Sequence, residues 1–572
     1  MPLVIRSLVS ALLLAGCVPI ASAAPVVFVR GAIYTANDAQ PRAEAVIAEN
    51  GLITFVGSTP EALRHATPEA RRIDLQGRAM FPGFIDAHAH LLGIGERELS
   101  FNLEGTTGIS DLKARLKHRL AETQPGRWVT GRGWIESRWT PAVFPTRADL
   151  DAVGTDRPVV LERGDGHSVV ANSAALQLAG IDRATPDPPG GQILRDPATG
   201  EPTGMLIDAA TDLVSRLVPP PSEEDRLRAL ELGAQRSVRL GWTQLQIAGN
   251  TFDEVELIRR LCAQGKLKLR IYDAIGGPGA DAARLLQSGA TLDECDGHLI
   301  IRSIKLYVDG ALGSRGAALL EPYSDAPEGR GLLVNRTEDL YPVLLHALRR
   351  GIQIQMHAIG DRANRIALDL YQRAFEAVPV SERGVAEPRW RIEHAQVIDP
   401  QDIARFGRLG VIASMQPSHA ISDLFFAPQR LGPDRLSGAY AWRSMVESGA
   451  IVAGGTDAPV ERGEPSIEFH AAVVRRSLDG FAGENWHREQ RLSRDQALKM
   501  FTLWPAYAAF QENEAGSIEV GKRADFTVFA TDIMQVPETE ILQARVIMTV
   551  IGGEVVHHAY PLPLAGEGAE GG

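Results

Sequence analysis

Histidine and aspartate residues stand at the ends of four short apolar segments of this chain. The first segment ends in His88 and His90, and the others end in His357, His394 and Asp457. Side chains alternate along a strand, so both histidines of the His-x-His pair point to one side and can bind one cation. Taken singly, each residue also fits a hydrogen-bonded core histidine or a helix-capping aspartate. Because four segments repeat the pattern at the same relative position, the sequence predicts a metal site.

One lysine lies inside an apolar segment, 301–308. This residue is Lys305, in a chain where only 7 of the 59 basic residues are lysine. A buried amine loses its proton readily, whereas a guanidinium stays charged. A neutral amine can add carbon dioxide to form a carbamate, an oxygen ligand able to bridge two metal ions. The alternative is a lysine that reaches the rim of the fold and neutralises Asp309, and the sequence leaves both open.

Four residues beside glycine-rich or proline-containing turns are expected to contact a substrate: Trp134, His167, Arg315 and His419. Trp134 and Trp139 would line an apolar pocket that suits amides of aromatic or alkyl amines, and Arg315 would meet a carboxylate. The alternative for each residue is local packing within its own loop.

The elements that must position these residues alternate between short apolar segments and longer helical patterns, which is typical of βα units around a parallel sheet. Helical periodicity is clear at 223–240, 252–264, 338–349 and 362–377. Eight strands are predicted, and they indicate an α/β fold with a closed (β/α)8 TIM barrel, whose chemistry lies at the carboxyl ends of the strands. The predicted strands are 84–88, 242–247, 267–273, 300–307, 352–357, 390–394, 411–416 and 451–456.

Three further parts are predicted around the barrel domain, 81–509. Residues 91–221, after strand one, are too many for a barrel loop and are expected to form an inserted lobe over the catalytic face. Strand patterns in 24–80 and 510–560 predict one small β-sandwich built from both ends of the chain. The Gly/Ala/Glu/Pro-rich residues 561–572 are expected to be a disordered tail.

Composition restricts the class of partner. A chain of 572 residues with 44% apolar residues must bury a large core. The net charge is −12, from 71 acidic and 59 basic residues, and no Lys/Arg-rich run occurs. We therefore expect neither nucleic acid nor an anionic membrane surface as a partner. A small-molecule substrate is expected, and a homo-oligomeric state stays open.

Three cysteines, Cys17, Cys262 and Cys295, show no CxxC spacing. This argues against a disulfide scaffold and against a thiolate zinc site, so any metal must be held by His, Asp or Glu. We expect Cys262 and Cys295 to stay unpaired, because their local sequences carry no information about the distance between them.

The first 23 residues are predicted to be a signal peptide. One positive charge precedes the apolar run 8–14, which is too short to span a membrane. The small residues Ala21, Ser22 and Ala23 predict cleavage after Ala23, whereas the competing pattern at 14–17 resembles a bacterial lipobox, which would leave a lipid anchor on Cys17. Both patterns predict an exported, periplasmic protein without a transmembrane span in its mature form.

Five motifs carry a resemblance to a known family: FIDAHAH at 84–90, IKLYVDG at 304–310, QMHAIGD at 355–361, RIEHAQ at 391–396 and GTDAP at 455–459. With GRGW at 131–134 and DGHS at 165–168, they resemble the amidohydrolase superfamily. Within it they resemble the amidohydrolase 3 family, which includes N-substituted formamide deformylases. The resemblance covers essentially the whole chain after the leader.

This resemblance implies a (β/α)8 barrel with a composite β-sandwich that holds one or two divalent metal ions, often zinc. Carried over residue by residue, it implies a first metal on His88, His90 and Asp457, a second on His357 and His394, and a carboxylated Lys305 bridging the two.

The expected activity is metal-dependent hydrolysis of a non-peptide C–N bond, in a linear amide or an N-formyl or N-acyl amine. The metal lowers the pKa of a bound water to about 7, and Asp457 moves its proton to the leaving amine as general base and acid. One alternative is a deaminase of an amino-heterocycle with a single metal on His88, His90 and Asp457, which leaves Lys305 unexplained. Another is a regulatory or ligand-binding protein on an inactive barrel, which predicts an incomplete ligand set.

Overall fold

The structure, a computed structural model, describes residues 24–124, 126–136, 139–154, 157–164, 168–188, 191–483 and 486–559. The expected leader with Cys17, the expected substrate residue His167 and the expected tail lie outside these ranges. Within them, no helix combines the length and the apolar composition needed to cross a bilayer.

Eight parallel strands form the central sheet and pair with one another in chain order. Each overlaps a strand predicted from the sequence, so the predicted α/β barrel is confirmed. Almost all of their residues are buried, as expected for parallel strands covered on both faces. We number them β1 to β8: Phe84–Ala89, Trp242–Asn250, Arg270–Gly276, Leu299–Tyr307, Gln353–Ala358, Arg391–His394, Ile412–Met415 and Val452–Gly454.

The seam of the barrel lies between β8 and β1. The backbone N–H of Asp457 donates to the carbonyl oxygen of His88 at 2.7 Å, and the N–H of His90 donates to that of Ala458 at 2.9 Å. A Cβ at Gly455 would lie 2.5 Å from the backbone nitrogen of His88, so this approach requires glycine. The seam thereby brings three of the predicted ligand positions together: His88, His90 and Asp457.

Helices surround the sheet, and the four helical patterns noted above are confirmed to within a residue or two. The first of them starts where the Ser222 hydroxyl accepts the N–H of Asp225, and it ends at Gly241, whose φ is 107°. The outer helices are Glu223–Leu240, Phe252–Ala263, Ala280–Ser288, Thr337–Arg350, Asp361–Ala377, Pro400–Leu409, Trp442–Glu447 and Pro465–Val474.

The chain between β1 and the helix Glu223–Leu240 forms a lobe with its own sheet and core. Helix Leu91–Leu99 leads into the lobe, and helix Ile109–Glu122 packs Leu112 and Leu116 into the lobe core. The lobe sheet has six strands, in the spatial order Gly191–Arg195, Pro202–Asp208, Ser168–Ala171, Val159–Arg163, Val129–Trp134 and Phe101–Asn102.

Strands from both ends of the chain form two sheets that share one apolar core. The rings of Phe28 and Phe526 pack edge to face across it at 5.4 Å. Asn50 and Gly51, with φ of 52° and 81°, make the hairpin turn that the sequence indicates. The four-stranded sheet has the order Leu52–Gly57, Ala45–Glu49, Val26–Val29 and Arg71–Asp74, and the six-stranded sheet has the order Glu554–His558, Val546–Ile551, Phe526–Phe529, Ala79–Pro82, Ala32–Tyr34 and Arg42–Ala43.

The expectation of two unpaired cysteines is wrong. Cys262, on helix Phe252–Ala263, forms a disulfide with Cys295, in the turn that precedes β4, and their Cα atoms are 5.9 Å apart. The barrel brings the two together because Arg259 of this helix forms an ion pair with Glu294 of the short strand Thr291–Glu294, which pairs with β4. Local sequence carries no signal of this tertiary contact.

Candidate metal centre

A cavity of about 570 Å³ opens at the carboxyl ends of the barrel strands. No residue from the described part of the lobe lines it. All six residues that the sequence predicts as metal ligands line the cavity: His88, His90, Lys305, His357, His394 and Asp457.

Three of these residues form a compact group. The ligand atoms of His88, His394 and Asp457 all lie within 4.8 Å of one another. His394 and Asp457 have φ of 71° and 56°, a left-handed backbone that is uncommon outside glycine and that turns each side chain at the end of its strand. His394 therefore lies with the residues expected for the first metal, although the resemblance groups it with His357.

The other three residues adjoin this group. His90 Nε2 lies 3.0 Å from Asp457 Oδ1, and Lys305 Nζ lies 3.4 Å from His88 Nε2. The ring of His357 packs against that of His394, with 4.5 Å between centroids. The six predicted residues are thus continuous, from β1 across β4, β5 and β6 to the end of β8.

Lys305 lies inside the barrel and is only 1% exposed. It does not pair with Asp309, whose carboxylate instead accepts the backbone N–H groups of Ala318, Ile359 and Gly360 at 2.8 to 2.9 Å. The alternative in which the lysine reaches the rim to neutralise Asp309 therefore does not fit the structure. Burial lowers the pKa of Lys305 to about 8, so a neutral amine is accessible near neutral pH.

Burial also sets the charge of the histidines. It lowers the pKa of His88 to about 4 and that of His357 to about 3, in each case with a contribution from Lys305, and it lowers that of His394 well below the usual range. Burial alone would raise the pKa of Asp457, but a hydrogen bond from His90 and the neighbouring histidines hold it well below the usual range. The centre therefore offers neutral imidazoles and an ionised carboxylate.

A buried carboxylate that sequence reasoning missed orients His88. The Nδ1–H of His88 donates to Glu393, which in turn accepts two hydrogen bonds from Arg391, and none of these side chains is exposed. Arg391 holds the pKa of Glu393 at about 2 against the opposing effect of burial. This arrangement leaves His88 Nε2 free of a proton and facing the cavity.

Similar polar contacts hold the neighbouring elements. His394 Nδ1 donates to Gln416 Oε1 at 2.9 Å. The carboxylate of Asp86 accepts the backbone N–H and the hydroxyl of Thr456 at 2.9 and 2.6 Å, which ties β1 to the end of β8. Asp86 and Glu393 precede His88 and His394 by two residues and one residue, and that proximity was the available signal in the sequence.

The expected substrate residue His419 lies at the centre. Its Nε2 is 3.6 Å from Asp457 Oδ2 and 3.9 Å from Glu461 Oε1, and it is buried without a hydrogen-bond partner. Its ring is nearly parallel to that of His394, at a centroid distance of 5.9 Å. His419 comes from the helix Pro417–Ser422, directly after β7.

The two tryptophans expected in the substrate pocket are in the lobe core, and this corrects the sequence expectation. Trp134 is 0% exposed, and its indole N–H donates to the carbonyl oxygen of Leu161 at 3.0 Å. Trp139 packs beside it, with its N–H on the carbonyl oxygen of Thr106. Trp134 ends a lobe strand, so its side chain stabilises the lobe instead of contacting a ligand.

Arg315 does not line the cavity either, although Leu312 and Gly313 of the same loop do. Its guanidinium forms a bidentate ion pair with Asp325, with nitrogen–oxygen distances of 3.2 and 3.0 Å. The expectation that Arg315 meets a substrate carboxylate is therefore wrong for this conformation, because Asp325 already occupies the guanidinium.

The donor set fits a divalent cation. His88 and His394 each donate through Nδ1, so their Nε2 atoms keep a lone pair, and Asp457 supplies a carboxylate oxygen beside them. His357 Nε2 is also buried without a hydrogen-bond partner. Nitrogen and oxygen donors of this kind are those that zinc and similar ions prefer.

Comparison with known proteins agrees with this geometry. Residues 71–557 match the sequence model of the amidohydrolase family. YtcJ, an amidohydrolase-family protein of Bacillus subtilis, is 34% identical over 535 residues, which cover 92% of this chain and 98% of that protein. The N-substituted formamide deformylase of Arthrobacter pascens is 29% identical over 523 residues, with coverage of 89% and 94%.

A solved structure is similar over almost its whole length. An uncharacterized metal-dependent hydrolase from Pyrococcus horikoshii superposes with a TM-score of 0.72 at 26% identity, covering 90% of this chain and 99% of that one. The barrel, the convergent histidines and the sequence match agree, and we conclude that this chain belongs to the amidohydrolase family of metal-dependent hydrolases.

Proposed function

We propose that this protein hydrolyses the C–N bond of a linear amide, an N-formyl or N-acyl amine, with Asp457 as the residue that moves the proton. The observation that carries the proposal is the placement of this carboxylate: Oδ1 is 3.0 Å from His90 Nε2, and Oδ2 faces His419. The similarity to an N-substituted formamide deformylase supports the choice of substrate class.

His88, His90, His394 and Asp457 would hold the metal ion, with His357 and a carboxylated Lys305 available for a second. A divalent ion bound there, which we propose to be zinc, would polarise a carbonyl oxygen and lower the pKa of water. The chain itself contributes orientation. Glu393 and Gln416 fix the tautomers of two histidines, and Asp86 fixes the segment that carries Asp457.

Asp457 would carry the proton from water to the amide nitrogen. The neighbouring histidines keep its carboxylate ionised, so it can accept a proton from water as the oxygen–carbon bond forms. It then returns that proton to the amide nitrogen as the C–N bond breaks, which releases a carboxylic acid and a neutral amine. His419, beside Asp457, is placed to orient the substrate.

One observation favours a second candidate. The three ligand atoms of His88, His394 and Asp457 form a group compact enough for a single ion. A deaminase of an amino-heterocycle with one metal would use such a group and release ammonia. The deaminase would give Lys305 no role, although the Lys305 amine lies 3.4 Å from His88 Nε2.

A product assay on the zinc-supplemented protein separates these functions. A panel of N-formyl amines, N-acyl amines and amino-heterocycles is offered, and released amine is distinguished from released ammonia. We expect amine release that Asp457→Asn abolishes while metal content stays high. Asp434→Asn, a matched change at an exposed position, should have no effect.

Ammonia release from the heterocycles would instead establish the deaminase. Metal content near zero in protein purified without chelator would favour an inactive, ligand-binding barrel. Retained turnover in Asp457→Asn would remove the aspartate from the proton transfer.

We also propose export to the periplasm with cleavage after Ala23. The leader pattern supports this, and so does the disulfide, because disulfides persist mainly in oxidising compartments. The intact mass of the mature protein tests it. A chain that begins at Ala24 is expected, whereas a lipid-modified Cys17 at the new amino terminus would establish the anchored form.

A further inference from the structure

Beside the metal centre, two carboxylates without a counter-charge form part of the cavity wall. Asp423 comes from the segment after β7, and Glu461 comes from the loop after β8. The Ser422 hydroxyl donates to Glu461 Oε1 at 2.6 Å and lies 3.5 Å from Asp423 Oδ1. One hydroxyl therefore contacts both carboxylates and holds them close together.

The partners of these carboxylates are neutral. Asp423 Oδ2 accepts hydrogen bonds from the Tyr440 hydroxyl and from the Gln396 amide, the latter at 2.6 Å. In the part of the chain that the structure describes, neither carboxylate forms an ion pair with a lysine or an arginine. The Arg97 guanidinium contacts Glu461 only at the backbone carbonyl oxygen of Glu461. The charge of Glu461 adds to the burial that raises the pKa of Asp423, and a cation between the two carboxylates would relieve this repulsion.

A third acceptor points into the same space. His419 is 8% exposed, and its Nε2 is buried without a hydrogen-bond partner 3.9 Å from Glu461 Oε1. In its acceptor tautomer this nitrogen can take a hydrogen bond. A primary ammonium group has three N–H donors, which is the number of acceptor groups here.

We infer that this wall binds a primary alkylammonium group, and that the preferred substrates are amides that carry a second, protonated amine. Asp423 and Glu461 would neutralise the ammonium, and His419 would accept its third hydrogen bond while lying between this subsite and Asp457. Mono-acylated diamines are the substrate class that meets this requirement. The inference deepens the proposed amide hydrolysis and rests on it for the substrate.

Matched substrates test the preference. Mono-N-formyl diamines of increasing methylene length are compared with N-formyl alkylamines in which a methyl group replaces the ammonium. At the best length, kcat/KM should favour the cationic member by about tenfold or more, as expected for charge-assisted hydrogen bonds. Equal or lower kcat/KM for the cationic member at every length would overturn the inference.

Variants connect the preference to these residues. Asp423→Asn and Glu461→Gln keep the shape of each side chain and remove its charge, so each should reduce the ratio of cationic to neutral kcat/KM several-fold. Asp434→Asn, on the exposed surface, should leave the ratio as in the parent protein. An unchanged ratio in both subsite variants would place recognition elsewhere and contradict the assignment.

A binding measurement separates this inference from the proposed function. Calorimetry of the metal-loaded protein with butylammonium chloride should give saturable binding that butan-1-ol does not show and that Asp423→Asn weakens. This result would support the subsite even if no amide were hydrolysed. Absence of butylammonium binding would overturn it, and so would the loss of one metal ion per chain in Asp423→Asn, because the carboxylates would then be metal ligands.

Discussion

Glu393 accepts the Nδ1–H of His88 in the middle of the barrel, although 305 residues separate the two along the chain. Arg391 neutralises this glutamate, and its guanidinium also donates to the carbonyl oxygen of Ala87 and to the Ser414 hydroxyl. One buried ion pair on β6 thus fixes the ring of a residue on β1. These side chains form a framework inside the barrel that supports the metal centre. Among the described residues, none from the lobe contributes to it.

Glu393→Gln should weaken metal binding by about 10- to 100-fold, the usual effect of losing a carboxylate that orients a histidine ligand. The amide keeps the shape of the side chain but loses the charge that fixes the tautomer of His88. Chelator competition measures the affinity, and Glu376→Gln on an outer helix is the control. A lower melting temperature with unchanged metal affinity would reduce Glu393 to a structural role.

Lys305→Arg should lower kcat/KM by more than about 100-fold, because a guanidinium stays charged and cannot add carbon dioxide. Carbon-13 bicarbonate should give a carbamate resonance in the parent protein and none in the variant. Since burial lowers the pKa of Lys305 to about 8, the neutral amine increases with pH and labelling should be faster above pH 8 than below it. Full activity of Lys305→Arg would refute the carbamate.

Butylammonium affinity should fall as the pH is lowered from 7 to 5. Burial raises the pKa of Asp423 to about 6, with His419 and Tyr440 opposing this and Glu461 adding to it. Below that pKa the carboxyl group is neutral and loses its attraction for a cation. Calorimetry across this range measures the effect, and a flat profile in the parent protein would contradict it.

Replacement of both Cys262 and Cys295 by serine should destabilise the protein. The disulfide closes a loop with a sequence separation of 33, for which chain entropy predicts about 3 to 4 kcal/mol. Thermal unfolding should show a lower melting temperature for the double variant than for the oxidised parent protein. The parent protein under reducing conditions should melt at the same lower temperature as the double variant. Equal melting temperatures in all three samples would show that the crosslink carries no stability.

The barrel could be predicted from the sequence because its strands depend on local pattern, and the six residues expected as metal ligands line one cavity because each stands at or just after the end of such a strand. In a strand such as β5, the apolar residues Ile354, Met356 and Ala358 alternate with polar ones, and His357 stands next to its end, so the signal is complete within six residues. Parallel strands then place their carboxyl ends at one edge of the sheet, so His357 and His394 meet without any further information.

The remaining errors concern tertiary contacts. Trp134 beside two glycines is compatible with a loop or with a strand, and only the lobe sheet decides that its ring is in the lobe core. The pairing of Cys262 with Cys295 depends on how a helix packs against the barrel. Asp423 and Glu461 stand in unremarkable local sequence, and their proximity depends on the loops after β7 and β8.

The sheet shared by both ends of the chain sets the order in which this protein can reach its native state. Strand Ala79–Pro82 pairs with Phe526–Phe529, and Phe28 packs against Phe526. During synthesis these early residues have partners that follow them by several hundred residues, so their apolar surface stays uncovered until those later strands have been made.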